Sequence, residues 1–205
     1  MNEKVIIIGA GGHAKVVAET VRKSGDTVVG FLDDRSELKG KSFCRATILG
    51  DISQHKLFAS GASFIIAIGE GIARKRISES LDVKWYTAIH PSAVIAEGVK
   101  IGEGSLVSAG AIVNPDAKLG KHTIINTRAV VEHDCSVGDF THISPSAVVC
   151  GGSSVGELCW IGANSTVIHG ISVCDGVMVG AGATVIKDVC ERGIYVGVPA
   201  RKLDK

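Results

Sequence analysis

Two groups of residues in this sequence have the types and spacing for chemistry. The first is the run Gly9-Ala10-Gly11-Gly12-His13-Ala14, which satisfies G-x-G-x-x-A at Gly9, Gly11 and Ala14 and is followed, about twenty residues on, by Asp33-Asp34. Glycines at a strand-to-helix turn let an anion reach the N–H groups at the helix start, and an acid at that distance can accept from a ribose or a base. The second group is the seven histidines. An imidazole with an ordinary pKa of about 6.5 is mostly neutral at pH 7 and can take a proton from an attacking amine or hydroxyl. Composition does not choose among the seven: His55 and His122 read as surface residues, and His90, before Pro91, as a residue of a domain junction.

The turn needs a strand before it and a helix after it. Residues 4–8 are an apolar run suited to a strand buried on both faces, an amphipathic stretch runs through Lys23, and residues 28–32 read as a second strand. A third strand is predicted over 64–68, ending in Gly69, with helices around 51–58 and 72–81. A dinucleotide fold needs two such halves. Fewer than ninety residues precede the next element, so the spacing predicts a half-Rossmann unit that holds one nucleotide rather than NAD.

The rest of the chain is a repeat. Stepping by six from Ile89 gives Ile95, Ile101, Val107, Val113, Leu119, Ile125 and so on to Val185, every position aliphatic. Two residues before each, the side chain is nearly always small, as at Ala93, Ser105, Ala111, Ala117, Cys135 and Cys159. A period of six fits neither a helix nor a simple strand, but it fits short strands joined by tight corners. Gly102, Gly120, Gly138 and Gly156 recur every eighteen residues, which predicts a three-sided prism with coils stacked at about 4.8 Å and glycines at left-handed corners. Residues eighteen apart then share a column: His133 lies below Gly151 and Gly151 below His169, leaving a slot over His133.

Composition bounds the partners. The 205 residues carry a net charge of +1, too balanced for a nucleic-acid surface. Glycine at 26 and aromatics at 4%, beside 45% hydrophobic residues, describe a stacked β core rather than disorder. No apolar stretch of eighteen residues and no signal-peptide pattern occurs, so the reading is a cytoplasmic protein without a membrane partner. Six cysteines include no C-x-x-C pair, which leaves no metal or redox motif and makes them small core residues.

The hexads from about Ile89 to Ile186, with the tail Gly197-Val198-Pro199-Ala200-Arg201, resemble the left-handed parallel β-helix of hexapeptide-repeat acyltransferases. Joined to an α/β half-Rossmann domain with a short parallel sheet, the whole chain resembles bacterial acetyltransferases of nucleotide-linked 4-amino-4,6-dideoxy sugars and the related sialic acid O-acetyltransferases. The resemblance implies domains at 1–86 and 87–205, homotrimers with active sites between subunits, acetyl-CoA as co-substrate and no metal. In it, the segment from Asn126 to Cys135 carries the catalytic signature, with His133 as general base and Asp134, where the family has glutamate, as its orienter; Glu132 is the alternative. It places His142, Gly151, Ala163 and Ala181 at acetyl-CoA and Asn126 at the acceptor sugar. For the nucleotide it points to Gly11, Gly12 and His13 at the phosphates, Asp33 and Asp34 near the uracil or ribose, and Gly69 at the end of the third strand; charge and position in the tail, rather than the resemblance, suggest Arg201 or Lys202 for the donor phosphates. Pro145 and Ser146 depart from the expected corner composition. The implied activity is N-acetylation of a UDP-linked 4-amino sugar for surface glycans. Rival readings are O-acetylation of a sialic acid or its CMP form, a non-catalytic nucleotide-sugar-binding scaffold, and an NAD-dependent oxidoreductase.

Overall fold

The computed structural model describes residues 2–203. Its first part is a five-stranded sheet: β1 (Lys4–Ile8), β2 (Thr27–Leu32), β3 (Ser42–Phe43), β4 (Ala46–Gly50) and β5 (Ser63–Ile66), in the order β3-β4-β2-β1-β5. All neighbours are parallel except β3 and β4. Val5, Ile6, Ile7 and Ile8 are wholly buried because helices cover both faces of β1. Helix α1 (Gly12–Lys23) buries Ala14, Val17, Ala18 and Val21, and α2 (Gly71–Ser80) follows β5.

The structure departs from expectation here at the third strand, at the 51–58 helix and at the unexpected strands β3 and β4. The third predicted strand stops at Ile66, and residues 67–70 form a loop. The 51–58 helix is a short 3-10 turn over Ile52–Leu57. β4 carries no continuous apolar run to mark it in the sequence; its Ile48 packs inward while Ala46 and Leu49 are only half-buried.

The second part is a left-handed parallel β-helix of two-residue strands on three faces. The first face runs from Ala88–Ile89 through Leu106–Val107, Ile124–Ile125, His142–Ile143 and Trp160–Ile161 to Met178–Val179, and the chain end adds Ile194–Val196 and Arg201–Lys202. The second runs from Val94–Ile95 to Thr184–Val185 and the third from Lys100–Ile101 to Ser172–Val173. Each residue pairs with the one eighteen further on, as Ile124 with His142 and Val130 with Val148. The sixth-residue column from Val107 to Val185 points inward, each side chain at most 4% exposed, and each such burial is worth about 1.5–3 kcal/mol.

The corners correct the expected use of glycine. Positive φ recurs every six residues, at Gly98, Gly104, Gly110, Asp116, His122, Arg128, Asp134, Phe140, Ser146, Gly152, Leu158, Asn164, Gly170, Gly176 and Gly182. Gly102, Gly120, Gly138 and Gly156 are not among them. A Cβ on Gly138 would stand 2.6 Å from the backbone carbon of Gly156, so these glycines serve close stacking of coils, not chain reversal. Ser146 takes the regular left-handed place with φ 57°, so the Pro145-Ser146 step leaves the corner intact.

The sheet domain docks on the first face. Tyr86, Ala88, Leu106 and Ile124 join Val17, Val21 and other residues of the sheet domain in one core.

Candidate functional site

The carboxyl edge of the parallel sheet faces the prism. Gly9 has φ +99°, which its tight approach to Ala67 requires. Gly11 is the N-cap of α1, and neither a side-chain cap nor an acid in the first turn occupies that helix start. A Cβ on Gly11 or Gly12 would meet nothing within 4 Å, so both face open space where an anion can approach the helix dipole.

Asp33 is engaged within the protein. Its carboxylate accepts from the Ala10 N–H at 2.7 Å and from both Nε and Nη2 of Arg35 at 2.8 Å. Arg35 thus holds the Asp33 carboxyl down to about pKa 2, against burial. Asp33 therefore fixes the glycine turn, while exposed Asp34 accepts from Ile52 N–H at 3.0 Å.

His13 and His142 meet across the domain junction, their ring centroids 6.2 Å apart, and Trp160 flanks His142 at 4.7 Å. Asn126 Nδ2 donates to His142 Nε2 at 2.9 Å, and Asn126 Oδ1 accepts from the Thr127 N–H, which fixes the amide and puts the His142 proton on Nδ1. His142 Nδ1 and His13 Nε2 are both buried without a partner. Burial, then the charge of Arg74, lowers His13 to about 4 and His142 to about 3, so both are neutral imidazoles at pH 7. A cleft of about 350 Å³ opens beside His142, lined by Glu70, Ile72, His142, Trp160, Met178 and Arg192 among others. Gly69 sits against Trp160 at its edge.

His133 lies elsewhere, on the corner between the second and third faces. Its side chain is 62% exposed, and Nδ1 donates to Asp134 Oδ2 at 2.8 Å. Consecutive residues touch in this way because Asp134 has φ 59° and the chain reverses there. The hydrogen bond raises the His133 pKa and leaves Nε2 as the basic atom. Glu132 instead accepts from Asn114 Nδ2 at 2.8 Å. The slot expected above His133 is filled by its own ring: a Cβ on Gly151 would stand 2.6 Å from His133 Nε2.

One chain therefore divides the candidate residues. Gly11, Gly12, His13, Asp33, Gly69, Asn126 and His142 gather where the sheet domain meets the first face. His133, Asp134 and Gly151 occupy the opposite edge, and Ala163 and Ala181 lie on the corner that follows the first face. Exposed Arg201 and Lys202 form the last strand of the first face, where Lys202 Nζ bonds Glu191 Oε2 at 2.8 Å.

Sequence reasoning missed Arg74, a buried cation inside a helix, because nothing in its spacing marks it. It also misplaced His55 and His122, which are 8% and 3% exposed. His122 stacks on Phe140 and meets the edge of Trp85, ring partners that lie far from it in sequence. Among the described residues no cluster of His, Cys, Asp or Glu could hold a metal ion, and no helix is long and apolar enough to cross a membrane.

Residues 4–81 match the PglD N-terminal domain, residues 152–187 the bacterial transferase hexapeptide (six repeats), and residues 92–115 the hexapeptide repeat of succinyl-transferase. Among curated proteins, a UDP-N-acetylbacillosamine N-acetyltransferase of Bacillus subtilis (strain 168) is 37% identical over 113 residues; the match spans 52% of each chain, about half the length of that relative. Among solved structures, PerB from Caulobacter crescentus in complex with CoA and GDP-perosamine is 36% identical with a TM-score of 0.93, covering 98% of this chain and 97% of that one. The acetyltransferase domain of PglB from Neisseria gonorrhoeae FA1090 is also 36% identical with a TM-score of 0.93, over 98% and 100% of the two chains.

Proposed function

From the premise that the chain belongs to the family of nucleotide-sugar acetyltransferases built from a PglD N-terminal domain and a hexapeptide-repeat prism, we propose that it transfers acetyl from acetyl-CoA to the amine of a nucleotide-linked 4-amino sugar. The observation that carries this reading is the pairing of an uncapped, glycine-cradled helix start at the sheet edge with an exposed His133–Asp134 dyad in a prism corner. UDP is the first nucleotide to test, as the Bacillus relative is named for a UDP sugar, and GDP the second, as the Caulobacter structure holds GDP-perosamine.

The chemistry runs through His133 Nε2. The amine nitrogen attacks the thioester carbonyl and its proton passes to Nε2, while Asp134 stabilises the resulting imidazolium through Nδ1. Collapse of the tetrahedral intermediate breaks the carbon–sulfur bond, and the imidazolium returns the proton to the departing CoA thiolate. The Gly152 N–H is donated to His133 O at 2.9 Å, which leaves the half-buried Gly151 N–H beside the ring as a donor of the kind that stabilises an oxyanion.

His133 and the nucleotide edge lie on opposite sides of one prism, so a neighbouring copy must bring them together. The second face suits such packing. Four of its six outward residues are apolar, with Val94 60% exposed and Ile112, Val130 and Val148 half-buried before Thr166 and Thr184, whereas the third face presents Lys100, Lys118 and serines. We assign the assembly as a homotrimer with sites between subunits, working in the cytoplasm on a precursor of surface glycans.

The test is CoA release by purified protein with acetyl-CoA and a panel of UDP-, GDP- and dTDP-linked 4-amino sugars, with CMP-sialic acid as the hydroxyl control. Turnover with a nucleotide amino sugar supports the reading. Turnover with CMP-sialic acid alone replaces it by O-acetylation, and acetyl-CoA binding without turnover on any of them defeats it.

A further inference from the structure

Arg74 heads the wholly buried side chains by volume and is 1% exposed, yet among the described residues no carboxylate lies within ion-pair distance of it. Its guanidinium is satisfied by main-chain carbonyls alone. Nε donates to His122 O at 3.1 Å, Nη1 to Ile68 O at 3.1 Å and Gly69 O at 2.7 Å, and Nη2 to the carbonyls of Phe140 and Thr141. Two of these carbonyls belong to the loop after β5, and three to prism corners next to His142. Gly71 lets the start of α2 come this close, since a Cβ there would stand 2.8 Å from Phe140 O.

A buried cation with no acid of its own is costly and keeps its full field for its surroundings. The titratable groups facing it are Glu70, His13, His122 and His142. Glu70 is occupied in capping α2, accepting from Ile72 and Ala73 N–H. Around His122 stand Glu103, Lys121 and Asp139.

We propose that Arg74 is a positioning residue for the nucleotide end of the site: it locks the Ile68–Gly69 loop to the prism, and its unbalanced charge draws the substrate's diphosphate to the sheet edge. The proposal rests on the functional reading above. Burial first, and the charge of Arg74 second, keep the facing His13 and His142 imidazoles neutral, so His13 meets the diphosphate as a neutral hydrogen-bonding group rather than as a cation. The fixed guanidinium, which stays charged across the working range, supplies the positive potential in their place.

The test compares wild type, Arg74→Met and Arg74→Lys in three measurements: calorimetric titration with UDP and GDP, steady-state kinetics for each substrate, and NMR titration of the His13 and His142 rings. In Arg74→Met, nucleoside diphosphate affinity is expected to fall about tenfold, the order of effect of removing one unit charge that acts on the site through a medium of effective dielectric about 20. The KM for acetyl-CoA stays unchanged, and both imidazole midpoints move up. Arg74→Lys restores the midpoints and the diphosphate affinity but lowers kcat, because an ammonium cannot reach all five carbonyls. If Arg74→Met does not fold, retained diphosphate affinity with reduced kcat in the lysine variant supports the proposal, and equal loss of affinity for both substrates overturns it. Wild type that binds UDP or GDP while Arg74→Met binds it equally well, with unmoved midpoints, defeats the role of Arg74 alone. Wild type that binds no nucleoside diphosphate defeats the functional reading and this proposal with it.

Discussion

Replacing Gly151 by alanine separates the chemistry from the fold. The new Cβ would stand 2.6 Å from His133 Nε2 and 2.7 Å from Cε1, well inside contact distance, and Gly151 is not among the residues with positive φ. Alanine therefore fits the backbone, and the only atoms that must give belong to a side chain 62% exposed to solvent. The ring swings aside at little cost to stability, within about 1 kcal/mol, with the entropy gained from losing a glycine working in the opposite direction. In the proposed mechanism, moving it by an ångström takes Nε2 off the attacking amine, and a misplaced base costs about a hundredfold. The assay is kcat from CoA release beside a melting curve. We expect Gly151→Ala to melt within about 3 °C of wild type while kcat falls by about a hundredfold. Full kcat in this variant, or a loss that merely follows a large drop in melting temperature, refutes the placement of His133 at the reaction.

The same substitution at Gly138 should do the reverse: its Cβ would meet backbone atoms of Gly156 and Glu157 at 2.6 Å, so the coil must part and the melting temperature should fall by more than about 8 °C, read by calorimetry. The rate should rise with pH as His133 loses its proton, with a midpoint above 6.5 because Asp134 stabilises the imidazolium; Asp134→Asn should move that midpoint down, and an unmoved kcat/KM profile would exclude the dyad. His13, His122 and His142 are buried neutral, with pKa values lowered to about 4, 4 and 3, while the unfolded chain takes up protons near about 6.5; the unfolded state thus binds more protons below that pH, and melting scans should show stability falling from pH 6.5 toward 4. Asp33→Ala leaves the Ala10 N–H and Arg35 without their acceptor, so stability should drop by about 1–3 kcal/mol and the amide of Ala10 should exchange faster, both measurable by denaturant titration and hydrogen exchange.

The prism was legible in the sequence because its rule is local: one aliphatic residue every six, a small one two before it, and a ladder partner eighteen away. The strand-turn-helix start was legible for a similar reason, since Gly9 and the buried run before it mark β1 and α1 without help from distant residues. What the sequence hid depends on contacts between distant segments. The glycines at 102, 120, 138 and 156 look like corners, yet they are small because the next coil leaves no room for a Cβ, and the corners themselves take Asp, His, Phe and Leu. His122 looks like a surface residue until Phe140 and Trp85 close over it, and Arg74 looks like any helix-surface arginine until the prism supplies its carbonyls. For the site, the sequence left Asp134 and Glu132 as alternative partners of His133, and the choice is made by the left-handed corner at Asp134, which the glycine pattern did not mark. The meeting of Asn126, His142 and His13 was not legible either, since it is set by how the sheet domain docks on the first face.

The most direct measurement is mass-spectrometric detection of the acetylated nucleotide sugar after incubation with acetyl-CoA, with wild type and His133→Ala run side by side at pH 7.5. The account predicts a product heavier by one acetyl group on the sugar amine with wild type, formed at least about a hundredfold more slowly by His133→Ala. No acetylated product from any nucleotide-linked amino sugar, or equal rates for the two proteins, would contradict it.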